Sequence, residues 1–202
     1  MLTKAASKRT VCDNCHYPLK TCVCSALSKV HNNTRILILQ DKNELKNAKN
    51  TARLAALSLS NVDIIQSDDE QKMEALRKLC TTEPASVALI FPSGDSLGFE
   101  TEYPNYIANR DSPQHEVRTL LFIDGTWRKA KRIYLSNEYL QGIPSFHFEQ
   151  ALHGNYRIRK TSVDNGLSTI EAVAYALGNI EDISIEPLFD VFEKMQSFWP
   201  HP

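Results

Sequence analysis

The sequence predicts an α/β domain with a mainly parallel sheet, preceded by a small N-terminal segment rich in cysteine. Continuous apolar runs at residues 35–40, 86–91 and 120–123 have the length and composition of strands that are buried on both faces. Segments with helical periodicity separate these runs, and strands that alternate with helices favour parallel pairing. At 202 residues the chain can bury one main hydrophobic core and carry a small appendage.

The N-terminal segment carries a candidate metal site. Four cysteines lie within thirteen residues: Cys12, Cys15, Cys22 and Cys24. Thiolates this close together are typical ligands of a tetrahedral structural zinc ion, and so short a segment needs a metal for its folding energy. Free or redox-active thiols are the alternative, because the closing Cys-x-Cys is tighter than the usual zinc-knuckle spacing.

Other candidate ligands near this cluster are weaker. His16 and His31 can each replace a thiolate but are interpreted as bystanders. Cys80 lies too far along the chain and is interpreted as a core residue. We therefore expect residues 1–33 to form a zinc-binding segment and residues 34–202 to form the main domain.

The main domain begins with the strand at residues 35–40, and a polar loop then leads into a helix. Asn50 and Thr51 lie at the turn into this helix or inside it, and in either place they can present short polar side chains to a ligand. A short strand at residues 62–66 and an acidic amphipathic helix at residues 68–79 follow.

The next strand, at residues 86–91, ends in a turn of small residues. This turn, Phe91-Pro92-Ser93-Gly94, either lets the backbone approach a ligand closely or is a plain turn. Residues 95–116 are polar and rich in turn formers, and they are predicted to be a long loop.

Residues 118–132 are the most informative stretch of the chain. The apolar run ends at Asp124 and Gly125, and a helical pattern then begins after Thr126, the predicted N-cap. Ligands of open α/β sheets lie at the carboxyl ends of strands, so Asp124 points to a candidate site. The alternative is a capping acid at an ordinary strand–helix turn. The helix carries four cations: Arg128, Lys129, Lys131 and Arg132.

The C-terminal part continues with a short strand near residues 145–148 and a basic segment at residues 156–160. Ser168 and Glu171 fit a capping box at the start of the next helix. An amphipathic helix at residues 185–198 closes the chain.

Charge and hydropathy exclude several classes of protein. The formal net charge is −1, which argues against a purely electrostatic nucleic-acid binder. Residues 1–53 nevertheless hold ten basic and three acidic residues, and residues 124–160 hold seven and three, so these blocks follow a phosphate backbone if they share a face. No apolar run reaches membrane-spanning length, and the N-terminus lacks the apolar core of a signal peptide. We expect a cytoplasmic protein with neither a membrane nor DNA as a partner.

Six motifs follow one another along the chain: the cysteine cluster, Asn50-Thr-Ala-Arg-Leu54, Phe91-Pro92-Ser93, Asp124-Gly-Thr-Trp127, Tyr156-Arg-Ile-Arg-Lys160 and Ser168-Thr-Ile-Glu-Ala172. Their order is that of DTW-domain proteins, and the chain resembles the tRNA-uridine aminocarboxypropyltransferases of that family. One departure is visible, because Gln40-Asp41-Lys42-Asn43-Glu44 stands where the family pattern has Gln-His-Pro-x-Glu.

The resemblance implies a SPOUT-like fold with a deep trefoil knot that holds S-adenosylmethionine. It also implies transfer of the 3-amino-3-carboxypropyl group of that molecule to N3 of a uridine in tRNA, with release of methylthioadenosine. N3 is a poor nucleophile until its proton leaves, so a base is required, and Asp124 is the candidate. Whichever sulfonium carbon lies in line with N3 is transferred, so geometry separates this reaction from methyl transfer.

The expected contacts divide between the two substrates. Those to S-adenosylmethionine are Asn50, Thr51, Phe91, Pro92, Ser93, Gly94, Ile123, Gly125, Thr126, Thr169 and Glu171. Trp127 either stacks on the uracil or belongs to the core. The phosphate contacts are Arg128, Lys129, Arg157, Arg159 and Lys160. Two other functions stay open: a SPOUT-like RNA methyltransferase, and a zinc-containing RNA-binding module without catalysis.

Overall fold

The structure is a computed structural model that describes residues 10–108, 117–149 and 167–199. Six strands of these ranges form one sheet: β1 (Arg35–Gln40), β2 (Val62–Gln66), β3 (Val87–Ile90), β4 (Leu97–Gly98), β5 (Thr119–Asp124) and β6 (Ser145–His147). Their order in the sheet is β2-β1-β5-β3-β6-β4, and each of these neighbouring pairs is parallel. The predicted α/β class with a parallel sheet is confirmed.

Helices cover both faces of the sheet: α1 (Thr51–Ser58), α2 (Glu70–Thr82), α3 (Phe99–Ala108), α4 (Trp127–Leu135), α5 (Thr169–Ile180) and α6 (Glu186–Gln196). Short 3-10 helices occupy Leu19–Thr21, Cys24–Ala26, Pro84–Ser86 and Glu138–Leu140. Buried residues of α1, α3, α5 and α6 share one hydrophobic cluster, and those of α2 and α4 share another.

The central strands are apolar at nearly every position because they contribute to both clusters. In β1, Ile36 and Ile38 belong to the cluster with α1 and α5, whereas Leu37 and Leu39 belong to the cluster with α2 and α4. Successive side chains of a strand point to opposite faces, so a strand covered on both sides needs an apolar residue at each step.

The prediction of a long loop at residues 95–116 is wrong for its first part, which contains β4 and α3. Pro104 lies inside α3, and a proline at an internal position argues against a helix when the sequence alone is considered. Phe99 and Tyr103, four residues apart, are buried and stacked with ring centroids 4.8 Å apart. Their burial outweighs the missing hydrogen bond. The carboxylate of Glu149 also caps the helix start, accepting from the amide N of Thr101 at 3.1 Å.

The N-terminal segment lies against the helices on one face of the sheet. Cys15, Tyr17 and Val23 are fully buried in the same cluster as α1, α5 and α6. The division of the chain at residues 33 and 34 stays a prediction. No helix in the described ranges is both long enough and apolar enough to cross a membrane.

Candidate active site

Asp124 is the last residue of β5, and its side chain lies at the carboxyl edge of the sheet. It is 9% exposed, and both of its carboxylate oxygens are engaged. The side-chain amide of Gln40 donates to Oδ2 at 2.8 Å, and the hydroxyl of Thr169 donates to Oδ1. Because the donors come from β1 and α5, two separate elements fix the orientation of the carboxylate.

Gln40 is fully buried and connects three strands. Its Nε2 also donates to Asn50 Oδ1 at 3.2 Å, and its Oε1 accepts from Gln66 Nε2 at 2.7 Å. Since Oε1 is occupied by Gln66, the amide NH2 must face Asp124 and Asn50. No role was predicted for Gln40, although a polar residue that ends a buried strand was a signal for one.

The N-terminus of α1 opens on the same edge. Asn50 is the N-cap, with Oδ1 accepting from the amide N of Arg53 at 2.9 Å and Nδ2 donating to the carbonyl of Glu44 at 3.0 Å. The Tyr17 hydroxyl donates to the carbonyl O of Asn50. The N-terminal segment thus contacts the residue that joins Gln40 to α1.

The N-terminus of α5 supplies Thr169, and the predicted capping box is confirmed. Glu171 is buried, and its Oε2 accepts from the amide N of Ser168 at 2.8 Å and from its hydroxyl at 2.6 Å. These bonds turn the Glu171 carboxylate back onto Ser168. The same turn orients the Thr169 hydroxyl towards Asp124.

A polar cavity of about 80 Å³ opens beside Asp124. It is lined by Glu44, Asn47, Lys49, Asn50, Thr51, Asp124 and Gly125. Three of the predicted cofactor contacts, Asn50, Thr51 and Gly125, therefore meet here with the predicted base, Asp124. Glu44, Asn47 and Lys49 were not predicted, because nothing in a polar loop shows in advance which of its side chains face a cavity.

The turn after β3 lies beside α4. Phe91 is buried, and the Ser93 hydroxyl lies 2.9 Å from the Ser145 hydroxyl. A Cβ added at Gly94 would meet no atom within 4 Å, whereas one at Gly125 would lie 3.3 Å from Lys129 Cβ. Close packing therefore favours glycine at position 125, while position 94 faces open space.

Trp127 is 52% exposed, so its interpretation as a core residue is wrong. One face of the indole stacks on Phe91, with ring centroids 5.3 Å apart and an interplanar angle of 23°. A supported aromatic surface therefore stands next to the turn at Gly125.

The cations of α4 have different surroundings. Arg128 is exposed, whereas Lys129 donates to Glu44 at 2.8 Å and lies 3.4 Å from Asp41. Arg132 lies 3.1 Å from the other oxygen of Asp41. The Glu44 hydrogen bond raises the pKa of Lys129. The predicted phosphate contacts Arg157, Arg159 and Lys160 lie outside the described residues.

Asp41, which stands at the departure from the family pattern, is a buried carboxylate. Burial opposes its ionisation, but the backbone N–H and side-chain amide of Asn43, with the ammonium of Lys129, outweigh burial and lower its pKa. Its ion pairs tie the start of the loop after β1 to α4.

The four cysteine sulfurs all lie within 4.8 Å of one another. Cys12 Sγ is 3.6 Å from Cys24 Sγ, and Cys15 Sγ is 3.7 Å from Cys22 Sγ, well beyond a disulfide bond. Zinc–sulfur bonds of about 2.3 Å in a tetrahedron place sulfurs about 3.8 Å apart, so this donor set fits a metal ion. The backbone N–H groups of Cys15 and Asn14 lower the pKa of Cys12 to about 6, whereas, against the lowering effect of the Asn14 amide, the Cys22 thiol and burial raise the pKa of Cys24 to about 12.

A model of the DTW domain matches residues 9–200 of the chain. The chain belongs to the DTW-domain family. The resemblance expected from its motifs is thus confirmed. In this DTW domain four of the motifs meet at the carboxyl edge of the sheet. Asp124–Trp127 joins β5 to α4, Asn50–Leu54 opens α1, Phe91–Ser93 follows β3, and Ser168–Ala172 opens α5.

Proteins similar to this chain carry the name of an RNA-modifying enzyme. The tRNA-uridine aminocarboxypropyltransferase 2 of Macaca fascicularis is 28% identical over 182 residues, which cover 87% of this chain and 58% of the relative. The tRNA-uridine aminocarboxypropyltransferase A of Arabidopsis thaliana is 27% identical over 217 residues, which cover 96% of this chain and 82% of the relative. The chain thus spans 58% of the length of the macaque protein. No solved structure matches the chain.

Proposed function

We propose that this DTW domain transfers the 3-amino-3-carboxypropyl group of S-adenosylmethionine to N3 of a uridine in tRNA and releases methylthioadenosine. Family membership and the names of the relatives support the reaction class. The observation that carries the proposal is the carboxylate of Asp124, which is held by Gln40 and Thr169 at the edge of a polar cavity.

The proposed step uses Asp124 as the general base. The N3 proton of uridine passes to the carboxylate, and the N3 electron pair forms a bond to the terminal CH2 of the aminocarboxypropyl group. The bond between that carbon and sulfur breaks, and its electron pair neutralises the sulfonium. A carboxylate is a weaker base than the N3 anion, so proton loss and bond formation proceed together. Gln40 and Thr169 keep the carboxylate aligned for this step.

The residues around the cavity supply the proposed contacts to S-adenosylmethionine. Asn50 and Thr51 present the start of α1, and Gly125 and Thr126 present the start of α4. Helix N-termini favour anionic groups, such as the carboxylate of the amino-acid end. The turn at Phe91–Gly94 is the proposed adenosine side.

The SPOUT-like trefoil knot belongs to the same proposal. In the sheet, β5 lies between β1 and β3, although it follows both in the chain. A strand that comes late in the chain thus lies between two strands that come earlier, and this arrangement is compatible with a knotted path. The cytoplasmic location stays a prediction.

On the RNA side, we propose that Trp127 stacks on the uracil. Its exposed indole, already supported by Phe91, suits a base taken out of the RNA stack. Arg128 is exposed at the start of α4 and is placed to contact phosphate, while a phosphate role for Lys129 requires it to leave Glu44. We assign zinc to the four cysteines as a structural ion.

Mass spectrometry of tRNA nucleosides tests the reaction. Unmodified tRNA is incubated with S-adenosylmethionine and either wild type or Asp124→Asn, which keeps the shape of the side chain but not its basicity. We expect aminocarboxypropyl-uridine with wild type and its loss with the variant. A mass gain of one methyl group would identify a methyltransferase instead. No affinity for S-adenosylmethionine, together with RNA binding that is indifferent to Asp124→Asn, would identify a non-catalytic RNA-binding module.

A further inference from the structure

The cavity beside Asp124 is too small for a whole cofactor. Pockets that hold drug-sized ligands measure about 300–1,000 Å³. At about 80 Å³ this cavity suits a group of a few heavy atoms. Its lining consists of charged and polar side chains and one glycine, which favours a charged group over the adenine ring.

One side of the cavity is suited to a carboxylate. Lys49 and Thr51 flank the N-cap of α1, and both line the cavity. The N–H groups of Thr51 and Ala52 belong to the first turn, where a helix offers no internal acceptors. The next N–H, that of Arg53, is already occupied by Asn50 Oδ1. The Lys49 ammonium, which lies 5.4 Å from the centre of the Trp199 ring, gives this part of the cavity lining a positive charge. Together with the N–H groups of the first turn of α1, this charge favours an anion.

The other side of the cavity is suited to an ammonium group. Glu44 lines it and is held in place by two donors, with Lys129 Nζ at 2.8 Å from Oε1 and Asn47 Nδ2 at 3.1 Å from Oε2. A carboxylate has about four lone-pair sites, so it can accept from a ligand in addition to these donors. The Asp124 carboxylate, which also lines the cavity, adds negative charge.

We propose that this cavity binds the zwitterionic amino-acid end of S-adenosylmethionine, with its carboxylate at Lys49 and the first turn of α1 and its ammonium at Glu44. This inference rests on the proposed function. It makes the polar loop between β1 and α1 responsible for recognising the amino-acid end of the ligand. Holding the amino-acid end beside Asp124 places the carbon that is transferred next to the base, and the methyl group farther away.

Two ligands that differ by the amino-acid end provide the test. S-adenosylhomocysteine contains it, whereas methylthioadenosine has a methyl group in its place. Their affinities are measured by isothermal titration calorimetry for the wild type, Lys49→Met and the control Lys46→Met, in which an exposed lysine of the same loop is changed. We expect Lys49→Met to weaken S-adenosylhomocysteine roughly tenfold or more and to leave methylthioadenosine unchanged. Lys46→Met should change neither affinity.

Glu44→Gln is the second variant, because glutamine keeps the size of the side chain and removes the charge. It should produce the same loss, confined to S-adenosylhomocysteine, and its thermal unfolding midpoint reports any damage from releasing Lys129. Equal losses for both ligands, or unchanged affinity for S-adenosylhomocysteine in both variants, would overturn the inference. If the wild type binds neither ligand, the proposed function fails and this inference fails with it.

Discussion

Replacing Gln40 with methionine should both destabilise the protein and slow the reaction, because both effects follow from the loss of the same hydrogen bonds. The variant keeps the length of the side chain but removes three hydrogen bonds, to Asp124 at 2.8 Å, to Asn50 at 3.2 Å and from Gln66 at 2.7 Å. The loss at Asp124 is the largest, because hydrogen bonds to charged groups contribute about 1.5–3 kcal/mol, against about 0.5–1.5 kcal/mol for neutral ones. Burial of a methionine offsets part of the loss, so we expect a net destabilisation of about 2–4 kcal/mol.

Urea unfolding and single-turnover transfer measure the two effects. Gln71→Met is the matched control, because Gln71 is exposed on α2 and such surface changes cost less than about 0.5 kcal/mol. We expect Gln40→Met to lower the urea midpoint and to slow transfer roughly 10-fold to 100-fold through a misaligned carboxylate. Equal midpoints for the two variants, with transfer at the wild-type rate, would show that Gln40 does not position Asp124.

Three further predictions follow from the surroundings of charged groups. Cys12→Ser should abolish zinc binding, whereas Cys80→Ala should retain it, because Cys80 lies apart from the four-cysteine cluster. Mass spectrometry of the metal measures the zinc content, and equal content in both variants would contradict the assignment of zinc to the four cysteines. Arg128→Ala should reduce the salt dependence of tRNA binding by about one unit of slope, because Arg128 is the exposed α4 cation proposed to contact phosphate. Lys129→Ala should instead lower the unfolding midpoint, because it removes the pairing with Glu44. Folding lowers the pKa of Asp41, so the contribution of this carboxylate to stability should be complete above its unfolded pKa of 3.8 and be lost as pH falls through the lower folded pKa. The urea midpoints of wild type and Asp41→Asn should therefore differ most near neutral pH and converge in acid. A difference that stays constant with pH would refute the predicted direction of this pH dependence.

The elements that the sequence predicted well are those whose signals are local. The apolar run at residues 35–40 became β1 with the same bounds, and the capping box of Ser168 and Glu171 opens α5 as expected. The DTW motif was likewise recognisable in the sequence, and membership of the DTW-domain family is confirmed. In contrast, α3 was missed, because Pro104 is a local argument against a helix whereas the burial of Phe99 and Tyr103 depends on distant parts of the chain.

The candidate site was predictable at Asp124 but not in its supporting contacts. The end of a buried strand marked Asp124 and the start of a helix marked Asn50. Nothing local shows that Lys129 pairs with Glu44, which lies 85 residues earlier, or that Trp127 stacks on Phe91 at the surface. These contacts depend on the path of the chain between elements, which local periodicity does not encode.

The sequence by itself determined the α/β class, the four-cysteine cluster and the family, because composition, periodicity and motif order are properties of short segments. The tertiary structure decided which of these segments meet. Parallel pairing of β1 with β5 in the register Gln40 to Asp124 joins residues 84 positions apart, and it is set by burial on both faces of the sheet. That register places a buried amide against the carboxylate and opens the charged cavity beside it.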